Sequence, residues 1–286
     1  MKGEHTVQVL CELLEVSRSG YYRWESSPPT QRQREDDELA DQIVQLHHES
    51  WESYGAPRVL KDLQARGVKT SKRRCARIMR EQGIRGRKKH RRRPGTTDSK
   101  HAHPPAPNLL REGANPTGPN QAWMTDITYI GTGEGWLYLA AILDVWSRKV
   151  VGWACAPTLH VSLVLAALAK ATRNRKPPPG LLHHSDRGVQ YACDEYRKLL
   201  RAARMICSMS RKGNCYDNAA MESFWSTLKT ETGIDEATPI NRRAAQLIVF
   251  DYIETFYNPK RRHSSLGYLS PVAFEKLTPK NNIKAA

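Results

Sequence analysis

Cysteine is scarce in this chain and never paired in sequence. The six, at positions 11, 75, 155, 193, 207 and 215, include no CxxC, and no secretory leader is legible ahead of them. That pattern argues against a disulfide scaffold and for a reduced, cytoplasmic setting with the thiols as small core or loop residues. His183 and His184 adjoin each other, but no Cys or His stands at zinc-ligand spacing from them, which excludes a structural zinc. Long apolar runs are missing too. VSLVLAALAKA at 161–171 is about half of what a membrane-spanning helix needs. The fourth shortage is local: residues 58–93 hold two acids, Asp62 and Glu81, against 16 Lys and Arg. Of the formal net charge of +16, +14 lies there, whereas residues 1–57 carry 5 Lys and Arg against 11 acids. A footprint so concentrated points to a polyanionic partner rather than to a solvated basic surface.

What is present divides into a helical front and an α/β body. Residues 6–24 read as a helix through Glu15 and a short second helix opened by Ser17 or Ser19, either a small helix-turn-helix or a dimerisation piece. The prolines of SSPPT at 26–30 end it. An acidic helix follows, with Leu39, Ile43 and Leu46 on one face. In 54–86, Pro57 suits a first helical turn, Gly67 closes a short helix, Thr70 or Ser71 caps a second, and Gly83 ends it. Cys75, Ile78 and Met79 face inward, and Lys72, Arg73, Arg74, Arg77 and Arg80 are expected outside. That is the layout of a helix-turn-helix whose second helix enters the major groove; a hairpin touching only phosphates is the alternative. RGRKKHRRRPG and the Pro-rich stretch after it read as a flexible linker between a DNA-reading head and a catalytic body. Its basic residues Arg87, Lys88, Lys89, Arg91, Arg92 and Arg93 are further candidate DNA contacts.

From about Asn120, three strands in a row (QAWMTDITYIG, GWLYLAAILDVWS, KVVGWACA) precede a helix at 161–174, a strand GLLHHSD, a helix over 189–203, a short strand MICSM and a further helix. Three antiparallel strands followed by alternating helix and strand predict a mixed five-stranded sheet with helices on both faces. A last helix over roughly 240–257 offers Ala244, Leu247, Ile248 and Tyr252 for burial. Trp123 and Trp136 are expected in the core. The organisation expected is a segment 1–30, a head 31–86, a linker 87–119, a core 120–235 and a C-terminal helix with basic tail 236–286.

Three acids stand out. Asp126 lies in WMTDITYI, Asp186 follows after 59 intervening residues in HHSDRGVQY, and Glu222 after another 35 in SMSRKGNCYDNAAMESFWSTLK. Met221, Phe224, Trp225 and Leu228 form a stripe to bury, while Asn218, Glu222, Ser226 and Lys229 cluster to one side. A carboxylate and an ammonium two turns apart suit a metal ligand beside a phosphate contact. Asp144 and Asp217 are nearby decoys, the first placed to pair with Arg148 and the second to cap a helix. In the tail, Arg261, Arg262 and His263 are placed either to touch phosphate or to cap the body.

With YNPKRRHSSLGYLSP at 257–271 and DVWSRKVVGW at 144–153, these strings resemble the integrase-type transposases of the bacterial insertion sequence 3 family, in particular the product of their second reading frame, over nearly the whole chain. The resemblance implies a ribonuclease-H-like core preceded by an all-α helix-turn-helix region. It implies a catalytic and metal-holding D-D-E trio carried onto Asp126, Asp186 and Glu222, with the basic residue seven positions later falling on Lys229. Two Mg²⁺ ions, with Mn²⁺ as a substitute, suit all-oxygen ligands and stabilise charge on the attacking and leaving oxygens of a strand transfer. The partners implied are the element's terminal inverted repeats and target DNA, a homodimer or larger assembly on DNA, and a protein from an upstream reading frame, made alone or as a frameshift fusion. The place implied is the bacterial cytoplasm and its nucleoid, not a membrane. A catalytically silent repressor and a structure-specific nuclease of the same fold are the competing readings. Trp225, where a Phe is the more usual aromatic, is a departure expected to leave the chemistry unchanged.

Overall fold

The computed structural model of the protein describes residues 6–87, 106–112, 115–210 and 218–277. Its front is helical. Thr6 and Ser17 cap α1 (Val7–Leu13) and α2 (Arg18–Ser26), and Thr30 opens α3 (Gln31–Glu49) through a reciprocal capping box with Gln33. Pro57 sits in the first turn of α4 (Ala56–Ala65), and Ser71 caps α5 (Lys72–Glu81). Gly67 and Gly83 take the positive φ values that close these two helices. Leu39, Ala40, Ile43 and Leu46 of α3 pack with Val59 and Leu63 of α4 and with Cys75, Ile78 and Met79 of α5.

Behind a short helix α6 (Leu109–Glu112) comes the sheet. β1 (Ala122–Thr132), β2 (Gly135–Asp144) and β3 (Val150–Ala156) run antiparallel; β4 (Leu182–Ser185) and β5 (Ile206–Met209) join parallel on the other side, in the order β3-β2-β1-β4-β5. β1 is therefore central. Its alternation sends Trp123 and Ile127 to one face and Met124 and Ile130 to the other. The first face is covered by α7 (Val161–Arg175), α8 (Val189–Ala192) and α9 (Asp194–Ala202), the break at Cys193 dividing the single helix expected over 189–203. Gly152 on β3 permits this packing: a Cβ there would lie 2.5 Å from the Ala167 carbonyl oxygen of α7.

The opposite face holds α10 (Ala219–Thr232) and α11 (Arg242–Phe250), which runs on as a π-helix over Asp251–Tyr257 before α12 (Pro271–Leu277). Ala245, Val249, Tyr252, Ile253, Phe256 and Tyr257 are the inward residues; the buried stripe is rotated by about one residue from the expected Ala244, Leu247, Ile248 and Tyr252, and Leu247 is 51% exposed. Trp136 is likewise outside, at 56% exposed, rather than in the core.

The head is not held by the linker alone. Its core and this face of the sheet form one continuous apolar cluster, with Trp51 edge-on to Tyr252 and Tyr54 against Phe256. Glu231 of α10, buried, accepts hydrogen bonds from Tyr252 Oη (2.7 Å), Arg261 Nε (2.7 Å) and Nη2 (2.6 Å), and Arg58 Nη1 of α4 (3.3 Å). Arg262 binds Asp62, and its backbone N–H donates to Tyr54 Oη at 2.7 Å. The tail motif is therefore built inward. Asn258 pairs both backbone groups of Val150 at 2.9 Å, satisfying the edge of β3, and Glu275 accepts two hydrogen bonds from Arg175.

Candidate active site

Asp126 and Asp186 meet at the C-terminal end of β4. Met124 pairs with His184 in the parallel β1–β4 ladder, so two residues on, Asp186 comes level with Asp126 and on the same face. The Asp126 carboxylate is held on both sides: Oδ1 accepts from the Ile127 N–H at 2.8 Å and Oδ2 from the Trp225 indole N–H at 3.0 Å, with the Asn218 amide a further donor. Asp186 Oδ1 accepts from the Gly188 N–H at 2.9 Å. Burial, and then the charge of Asp186, push the Asp126 carboxyl up to about 7. Among the described residues no cation is one of the groups that set that value, so a positive charge has a place here.

Glu222 arrives from α10. At about 100° per residue, Asn218, Glu222, Trp225 and Lys229 lie within one narrow arc of that helix. Asn218 and Trp225 both reach Asp126, so Glu222 is on the face turned to the same edge of the sheet, exposed to solvent in the helix's first turn. Among the described residues no three His, Cys, Asp or Glu side chains gather closely enough to hold a metal ion, so the two aspartates are brought together and the glutamate is near their face without joining them. The residues fit a hard divalent cation all the same. The donors are oxygens, two of them mutually repelling carboxylates, and Asn218 Oδ1 is buried with no hydrogen-bond partner among the described residues.

Lys229 is not available for phosphate in this arrangement. Its Nζ donates to the Tyr129 carbonyl oxygen at 2.8 Å and pairs with Asp235 at 3.5 Å. Arg261 is buried on Glu231, and Arg262, partly exposed, binds Asp62, so both guanidiniums are engaged within the protein in this arrangement. On α5, Asp36 of α3 draws in Arg74 (2.6 Å) and Arg77 (2.7 Å), whose guanidiniums hold its carboxyl below the usual carboxylate range. Lys72, Arg73 and Arg80 remain exposed. Arg87 lies against the Thr230 carbonyl oxygen and Glu52. Lys88, Lys89, Arg91, Arg92 and Arg93, like Asp217, are outside the described residues. Asp144 does not pair with Arg148 through its side chain. It is buried and accepts from the backbone N–H groups of Asn120, Trp146 and Ser147, organising the β2–β3 turn. His183 and His184 are buried; burial pushes His183 down to about 3, and it faces Tyr196 Oη at 3.2 Å. The residue that sequence periodicity missed is Trp225, assigned to the apolar stripe because a hydrophobic pattern takes no account of an indole N–H.

The integrase core domain family matches residues 116–215 and 203–271, and a helix-turn-helix-like domain matches residues 34–93. The 31 kDa protein of insertion element IS600 from Shigella sonnei is 45% identical over 93% of this chain and 97% of its own length. The transposase InsF of insertion sequence IS3A from Escherichia coli (strain K12) is 39% identical over 96% of this chain and 95% of its own. The chain belongs to the IS3 family of transposases. It carries that family's integrase-type core, a ribonuclease-H-like mixed sheet, with a helix-turn-helix-like domain in front. Among solved structures, a chain of a simian T-cell lymphotropic virus intasome is 14% identical, with TM-score 0.49 over 84% of this chain and 76% of that one. The HTLV-2 integrase catalytic core in complex with magnesium has TM-score 0.43 at 14% identity, over 56% of this chain and 98% of its own. Among the described residues no helix is long and apolar enough to cross a membrane.

Proposed function

We propose that this transposase cuts DNA at the terminal inverted repeats of its element and joins the freed 3′-OH to another phosphodiester, with Asp126, Asp186 and Glu222 as the catalytic acids. The observation that carries the reading is the approach of Asp126, on β1, and Asp186, just past the end of β4, where the charge of the second raises the carboxyl of the first. Two carboxylates so close repel each other, a repulsion that a bound divalent cation relieves, and in this family's chemistry that cation is Mg²⁺. When bound, a pair of such ions supplies charge stabilisation to both the attacking and the leaving oxygen. Asp126 and Asp186 are the residues that would hold them, with Glu222 completing the set from α10. The Ile127 and Trp225 N–H groups keep the Asp126 carboxylate in one orientation, and the Gly188 N–H does the same for Asp186. No covalent intermediate with the protein is required.

DNA is held by the helical head. Lys72, Arg73 and Arg80 present the exposed charge of α5, while Arg74 and Arg77 brace that helix on α3 through Asp36. Joining two ends calls for two copies on DNA, and an upstream-frame partner completes the assembly where one is made.

The test is cleavage and joining of a labelled fragment bearing the element's own end, with Mg²⁺ or EDTA, comparing wild type with Asp186→Asn and Glu222→Gln. Joined products that vanish in both variants and in EDTA are expected. Specific binding with no chemistry, with the upstream-frame protein supplied, would make the chain a DNA-binding repressor. Cleavage of branched DNA regardless of element ends would make it a structure-specific nuclease.

A further inference from the structure

We propose that Trp225 is a positioning residue for Asp126: its indole N–H fixes the carboxylate that presents the divalent cation and, through the same bond, sets α10 and Glu222 against β1. The inference rests on the reading of Asp126 as a metal ligand.

The geometry is specific. Trp225 Nε1 lies 3.0 Å from Asp126 Oδ2, while Oδ1 is already taken by the Ile127 N–H at 2.8 Å. Each oxygen of the carboxylate therefore has a fixed donor, with the Asn218 amide a third, and the indole is the one held by buried aromatic packing. An indole N–H only donates; it cannot accept a proton or bind a metal, so its contribution here is orientation. The ring itself is buried at 7% exposure, tilted against Phe224 (4.8 Å between centroids), which in turn meets Tyr257 edge-on at 4.9 Å. The donor is thus held by the aromatic packing of the C-terminal helix and does not move with solvent. Glu222 stands three residues earlier on α10, nearly one turn, so the Trp225–Asp126 bond, with the Lys229 bond to the Tyr129 carbonyl oxygen further along, ties the helix that carries Glu222 to the strand that carries Asp126. Phe in this position would keep an aromatic ring against Phe224, somewhat smaller, and supply no donor.

A hydrogen-bond donor to a metal-holding carboxylate typically governs metal affinity by about 10- to 100-fold. Trp225→Phe in the full chain is expected to weaken Mn²⁺ binding, followed by electron paramagnetic resonance of the free ion, by about tenfold. Its joining activity should be lost at limiting metal and recovered at saturating metal, and its melting temperature in EDTA should stay near the wild-type value. A purely structural role would instead lower the melting temperature and leave a defect that no metal concentration repairs, which overturns the proposal. Mn²⁺ affinity within twofold of wild type would overturn it as well. Asp126→Asn run in parallel separates the two ideas: if that variant still binds Mn²⁺ as wild type does, the metal-ligand reading itself fails. Should Trp225→Phe not fold, the wild-type protein carries its own readout. The seven tryptophans give seven indole ¹⁵N–¹H signals. One of them should move upfield in Asp126→Asn and shift on addition of Mg²⁺ to wild type; seven signals indifferent to both changes refute the inference.

Discussion

Asp126→Asn tests the electrostatics of the site with no DNA present. Burial and the facing Asp186 raise the Asp126 carboxyl to about 7 in the folded chain, against about 3.9 for an unfolded aspartate. The folded protein thus keeps a proton that the unfolded chain releases, so this group's stability contribution is complete below about pH 4 and is lost as pH rises toward and through about 7. Relative to a permanently neutral side chain, the loss integrates to about 4 kcal/mol near pH 8, about 2 kcal/mol near pH 5 and almost nothing near pH 3. Asn is neutral throughout, but it has one acceptor oxygen where Asp126 offers two, and the Ile127 and Trp225 N–H groups both need one. Leaving one donor unpaired gives back about 1 kcal/mol. In EDTA the variant is therefore expected to be more stable than wild type by about 3 kcal/mol near pH 8, or roughly 6 °C in melting temperature, with the gain shrinking to about 1 kcal/mol near pH 5. Saturating Mg²⁺ should raise the melting temperature of wild type and leave the variant where it was. Paired urea and thermal melts at both pH values make the comparison. A variant that is less stable than wild type near pH 8, or a gain that is the same at both pH values, would show that the two aspartates do not repel each other in the fold.

The buried Arg–Glu cluster should behave in the opposite way. Glu231→Ala leaves Arg261 buried without its counter-ion and is expected to cost about 3–5 kcal/mol in urea unfolding, with the head loosened from the body as judged by proteolysis. On α5, Lys72→Ala and Arg73→Ala should each lower the slope of log affinity against log salt by about one and leave the melting temperature unchanged. Arg261→Ala should do the reverse, moving the melting temperature and not the slope. Because head and core share one packed cluster, inserting about five base pairs, half a helical turn, between the bound repeat sequence and the cleaved end should abolish cutting without loss of binding.

The strands were legible because their signals are local. Alternation along WMTDITYI and GWLYLAAILD marks two half-buried strands, and the place of β1 at the centre follows from three antiparallel strands preceding two parallel ones. Caps at Ser17, Thr30 and Ser71 are likewise written in short-range chemistry. What failed to show is everything that depends on a distant partner. Arg74, Arg77, Arg261 and Arg262 look like solvated cations until Asp36, Glu231 and Asp62 are folded against them. In the last helix, helical spacing allows a stripe through Leu247 as well as one through Ala245, Val249 and Phe256, and which of them is inward depends on what covers the helix, not on a local pattern. Trp225 was hidden by its own hydrophobicity: the pattern that correctly buries the ring says nothing of where its one polar atom points.

The head's attachment changes what the basic stretch after it can mean. A flexible linker would let DNA reading and DNA cutting occupy unrelated places, and the Pro-rich composition of residues 94–119 invites that view. Yet Arg58 reaches Glu231, Arg262 bridges to Asp62 and Tyr54, and Trp51 meets Tyr252, so α4 and the π-helix are two sides of one interface. Glu231 is on α10, two and a half turns after Glu222 and on the helix that Trp225 ties to Asp126. One helix thus carries Glu222 near its start and the anchor of the head near its end. Neither the buried ion pair nor the indole bond can stretch without leaving a buried polar group unpaired, so head, α10 and β1 are held as one packed unit.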